Sequence, residues 1–146
     1  MNKLSALRII LAIICVAHLV LGMCALVAPA DALAKVAAAS YGASLDITPQ
    51  MHHVIRILGA FMVAVGVMAG MAAYQPGKHR GIIVGIVLLL VIRVAQRLIF
   101  HDEIQTHFGL SNARIWSQAI FFLATAAALL LLRPKADAGA ATTSAV

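Results

Sequence analysis

Arg93, Arg97 and His101 recur at every fourth position of the stretch LLLVIRVAQRLIFHDE (residues 88–103), with Gln96 beside them. On a helix that spacing puts the three on one stripe. Guanidinium groups are planar, permanently charged donors suited to carboxylate, phosphate or quinone oxygens, and histidine adds a titratable donor or a metal ligand. Arg56 and Arg114 at the edges of other apolar runs, and His18 inside another, complete the polar set. The chain has no Ser-His-acid arrangement, no phosphate-binding glycine loop and no Cys-x-x-Cys. Its carboxylates are too few for a midplane proton relay. Catalysis by this chain alone is therefore not expected.

The elements that must carry these residues are apolar. Of 146 residues, 63% are hydrophobic and 11% charged, and the mean hydropathy is +1.00. No ordinary water-soluble domain has that composition, so the chain reads as an integral membrane protein with the bilayer as its first partner. A net charge of +6 lies mainly in loops and helix ends, unlike the basic, aromatic-interleaved surface of a nucleic-acid binder, so nucleic acid is set aside. A hydrocarbon core of roughly 30 Å takes about 20 helical residues, and four stretches suffice: 4–28, 53–74, 81–100 and 113–132. Together they form one transmembrane domain over residues 1–133. PKADAGAATTSAV (134–146) reads as a disordered tail. Lys3 and Arg8 before an apolar run imitate a secretory signal, but the run is longer than a usual signal core. Cys15 and Cys24, nine residues apart on one helix, are separated by about 13 Å and are expected to be free thiols.

Orientation follows from lysine and arginine. Lys3, Arg8, Lys78, Arg80, Arg133 and Lys135 fall on one side, which the positive-inside rule makes cytoplasmic together with both termini. The expected location is a bacterial inner membrane. Residues 29–52 and 101–112 then lie outside. In the first of these loops Asp31 is a plausible N-cap for ALAKVAAAS, a short interfacial helix that reads either as a lid over the bundle mouth or as a plain connector. Thr48 and Pro49 open the second span. GVMAG (66–70) and GIIVG (81–85) fit the small-xxx-small pattern, which serves packing within the bundle or homo-oligomer formation.

Depth separates the arginines. Arg93 lies roughly 10 Å beneath the outer end of its helix, where a charge costs about 2.5–3.5 kcal/mol on insertion scales. Arg56 and Arg114 are close enough to the surface to snorkel. Glu103 is the expected ion-pair partner for Arg97 or Arg114. Arg93 needs a partner of its own, and the spans offer no acid. Either a structural network satisfies it, or an outer-half pocket lined by Arg56, Arg93, Gln96, Arg97 and His18 takes the polar end of a lipid, quinone or similar amphiphile. His18 is otherwise expected to hydrogen-bond a neighbouring helix. Bis-histidine haem ligation needs histidines at similar heights on facing helices, and His18 lies far below His52, His53 and His101. A haem b or metal site at the outer surface, using His53 and His101, stays as an alternative.

The layout of the spans, the glycine-punctuated RILGAFMVAVGVMAG (56–70), the basic turn QPGKHR (75–80) and an arginine late in the third span resemble DoxX-like membrane proteins, in particular the BphX-like branch. The resemblance implies a left-handed four-helix bundle. It also implies kinship with membrane subunits of quinone-linked oxidoreductases, with Arg56 the position carried over and Arg93 less directly. It transfers no catalytic residue. The expected protein is thus an all-α membrane four-helix bundle: a non-catalytic binding module or accessory subunit for a lipid or quinone. Its alternatives are a haem b or quinone-binding anchor of an oxidoreductase, and a purely structural subunit of a larger membrane complex.

Overall fold

A computed structural model describes residues 2–134, so the tail expected over 134–146 lies, past Pro134, outside the described residues. The elements in chain order are α1 (Lys3–Val27), α2 (Ala30–Tyr41), α3 (Pro49–Tyr74), α4 (Arg80–Ile99), α5 (His101–Phe108) and α6 (Asn112–Leu132). Helices α1, α3, α4 and α6 are long and apolar enough to cross a membrane. Lipid offers no hydrogen-bond partners, so a spanning backbone has to satisfy itself, and a helix does so within one segment. The outward faces suit that solvent: Phe61 is 64% and Leu131 80% exposed.

The ends follow local chemistry. Thr48 accepts from the Met51 N–H at 3.2 Å, and Pro49 takes the first position of α3, so this helix begins one turn before the apolar run expected from residue 53. The N-cap of α2 is Pro29, not Asp31; Asp31 sits in the first turn, where its charge favours the positive end of the helix dipole. Helix α2 stops at Gly42, whose φ of +72° places it in the left-handed region that side chains resist. Residues 101–108, expected as loop, form α5, with His101 as its first residue.

Helix α1 packs on α3, α4 packs on α6, and the two pairs meet more sparsely along α1–α6 and α3–α4. Gly22 and Gly59 set the α1–α3 seam. A Cβ at Gly59 would lie 2.8 Å from the Gly22 carbonyl oxygen, and one at Gly22 would lie 2.9 Å from that of Gly59, so the backbones touch. Gly66 abuts Leu19, whereas Gly81 and Gly85 border open space. Of the two small-residue motifs, only GVMAG therefore uses its glycines for close helix packing.

Burial is concentrated at one end. Leu7 and Leu11 of α1, Ala69 and Ala72 of α3, Ile83, Ile86, Val87 and Leu90 of α4, and Ala126 and Leu129 of α6 form the main core. At that end Arg80 also donates to the Pro134 carbonyl at 2.6 Å. The opposite end carries a separate cap, built of Ala43, Leu110 and Ile115 with Tyr41, Leu45 and Ile104 against them. The Ser44 N–H donates to the Phe108 carbonyl at 3.0 Å, stitching the α2–α3 connection to the end of α5. Between core and cap the helices leave a partly open space.

Candidate ligand-binding cavity

Along α4 the buried positions are Ile83, Ile86, Val87 and Leu90. Three and seven residues further on, the same face carries Arg93 and Arg97. Core packing of the first half of α4 thus turns both arginines inward. Their guanidinium carbons lie 5.9 and 5.5 Å from the centre of one ring, Phe122 of α6. Phe122 packs in turn on the edge of the main core, so it ties the two arginines to that core, and a space lies on their other side.

That space is a cavity of about 450 Å³. Helix α1 contributes Leu21, Cys24 and Ala25, and α3 contributes Ile55, Leu58 and Met62. Leu33, Val36, Ala37 and Tyr41 of α2, with Leu45 and Ile47 after it, cover one side, and Ile104 and Phe108 of α5 cover another. Arg93, Gln96 and Arg97 form its polar wall. A mainly apolar concavity with a few convergent polar groups is the usual form of a small-molecule site.

The two charges lack a counter-ion. The four spans contain no Asp or Glu. Asp31, Asp46, Asp102 and Glu103 are all exposed, and the ion pair found among the described residues is His101 with Asp102. A cation–π contact contributes about 0.5–1 kcal/mol at exposed sites and about 2 kcal/mol when desolvated. One ring shared by two like charges does not offset an insertion cost of about 2.5–3.5 kcal/mol for the deeper Arg93.

Other candidates are placed elsewhere. Arg56 is exposed on α3, next to the lining face of Ile55 and Leu58 but outside the cavity wall. His18 is half-buried, and its Nδ1 donates to the Ile14 carbonyl one turn back at 2.9 Å; its polar demand is met by its own helix, not by a neighbouring one. Arg114 does not meet Glu103. It donates to the Ser40 carbonyl at 3.3 Å, serving the C-terminal carbonyls of α2, where a cation opposes the negative end of the dipole.

His53 is exposed on α3. His52 Nε2 donates to the Ala28 carbonyl at 3.1 Å, tying the start of α3 to the end of α1. His101 bridges α5 to α6: in its protonated form Nδ1 donates to Asp102 Oδ1 and Nε2 to Asn112 Oδ1, both at 3.0 Å. Those two acceptors raise its pKa above the ordinary 6.5. With both ring nitrogens engaged, His101 has none free to ligate iron while the bridge stands, so His53 and His101 do not fit a haem. Among the described residues no three His, Cys, Asp or Glu side chains converge on a metal position.

Phe122 and Tyr41 were not foreseen as site residues. The pair Phe121-Phe122 was a visible signal, yet nothing local indicates which ring faces α4. Comparisons with family models, with curated proteins and with solved structures return no match. The DoxX-like resemblance accordingly rests on the span layout and the quoted residues alone.

Proposed function

We propose that this protein is a non-catalytic membrane binding module whose cavity holds an amphiphile, with Arg93, Gln96 and Arg97 on the polar head and the apolar walls around the chain. The observation that carries this reading is the pair of inward arginines, without a carboxylate partner among the described residues, on the wall of a cavity of about 450 Å³. A ligand oxygen supplies what the spans lack. Helices α2 and α5 act as a cover, and by keeping water away they strengthen any charge-assisted hydrogen bond formed beneath them. In this reading the α2–α5 end faces outside and both termini face the cytoplasm, an orientation supported by Lys3, Arg8, Lys78, Arg80 and Arg133 at the opposite end.

Mass spectrometry of lipids and quinones released from gently purified protein tests the proposal. A retained, stoichiometric amphiphile is expected in the wild type, and its loss in Ala37→Trp, which places an indole from α2 into the cavity. A wild-type protein that carries nothing, over several mild extraction conditions, would sink the reading.

A further inference from the structure

We infer that the cavity takes a single-chain anionic amphiphile, with a carboxylate or phosphate head against Arg93 and Arg97. This deepens the proposal above and rests on the cavity being a ligand site. Charge is the first argument. Two guanidinium groups one helical turn apart share the Phe122 ring, and the acids among the described residues are all exposed. A quinone or alcohol head is neutral and would leave both charges uncompensated beneath an apolar cap. An anion compensates them, and planar guanidinium groups match the oxygens of carboxylate or phosphate in pairs. Gln96 adds an uncharged donor to the same wall.

Size is the second argument. About 450 Å³ falls within the usual range of small-molecule sites, about 300–1,000 Å³, which suits one acyl chain with its head rather than a two-chain phospholipid. Much of the wall away from the arginines is aliphatic, with Leu33, Leu58 and Met62 beside the rings of Tyr41 and Phe108, and the aliphatic stretch suits a flexible chain.

The test is equilibrium binding to the full-length protein in phosphatidylcholine nanodiscs. Isotopically labelled myristate is the probe, and lysophosphatidate, myristyl alcohol and decylubiquinone are competitors. Saturable myristate binding is expected, with the alcohol and the quinone weaker by at least about tenfold, as loss of a charge-assisted contact predicts. Competition by lysophosphatidate as strong as that by unlabelled myristate marks a site for either anion, and stronger competition marks phosphate as the preferred head; both support the inference. Arg93→Gln with Arg97→Gln should abolish the preference for anions. Should that double variant fail to fold, Arg93→Lys with Arg97→Lys keeps the charge and should keep the preference; its loss there would overturn the charge argument. Alcohol or quinone binding as tight as myristate overturns the anionic head while leaving the cavity as a ligand site. Wild type that binds none of the four overturns both.

Discussion

Arg93 and Arg97 differ from the other arginines in what their surroundings supply. Arg114 reaches the Ser40 carbonyl and Arg80 the Pro134 carbonyl, whereas the cavity arginines have a shared ring and each other. Arg93→Leu should therefore lower retention of the bound amphiphile by at least about tenfold, the scale of one charge-assisted contact, while Arg114→Leu leaves retention near that of wild type. Equal, negligible effects of the two substitutions on copurifying lipid would remove the pocket. At the mouth, His101 offers a pH test. Hydrogen bonds to Asp102 and then to Asn112 raise its pKa above 6.5, so the folded state holds the proton to higher pH than the unfolded chain does. The bridge's contribution is then fully present below pH 6.5 and fades as the pH climbs through the raised value. The thermal stability of wild type relative to His101→Gln should show this decline; a pH-independent difference would mean the histidine titrates normally.

Helix α2 is the element through which the cover is attached, and its hold is small and local. Gly42 ends it at positive φ, and a Cβ there would lie 2.9 Å from the Arg114 guanidinium carbon. Gly42→Val combines the left-handed penalty of about 1–2 kcal/mol with displacement of that arginine. Faster amide exchange in α2 and the following connection is expected, with the spans unchanged; unaltered α2 protection would show that the cap does not depend on this turn. The α1–α3 seam has less tolerance. Gly59→Leu pushes a side chain into the Gly22 carbonyl and the Ala25 methyl, so the pair cannot close, and a sharp drop in yield of folded protein should follow. Gly85→Leu, with no neighbour within reach of its Cβ, serves as the matched control and should fold normally.

Over the whole molecule, packing is divided between a dense end and a hollow one. The core of Leu7, Leu11, Ile83 and Leu129 holds the bundle together, and the sparser meeting of the two helix pairs leaves space beneath the cap. Dense packing and the proposed binding space thus lie at opposite ends. The proposed orientation makes the hollow end the outer one. In a variant lacking Cys15 and Cys24, a cysteine in place of Glu103 should react with an impermeant thiol reagent on intact cells, and one in place of Lys78 only after lysis. The reverse pattern would invert the topology while leaving the cavity chemistry untouched.

Span number and approximate limits were legible in the sequence because hydropathy depends on run length alone, and the Arg93–Arg97–His101 stripe because helical spacing is local geometry. Cap residues such as Thr48 and Pro49 were legible for the same reason. The inward face of each span was not. In water a helix reveals its buried side by contrast between polar and apolar residues, but lipid is as apolar as a protein core, so α1, α3 and α6 look alike on every side. Only tertiary packing could decide that Phe122 meets both arginines, that Arg56 and His18 stand outside the cavity wall, that Arg114 serves α2, and that residues 101–108 form a helix lining one side of the cavity. The arginine without an acid was apparent from residue types; the ring beneath it and the space beside it depended on how four uniformly apolar helices pack together.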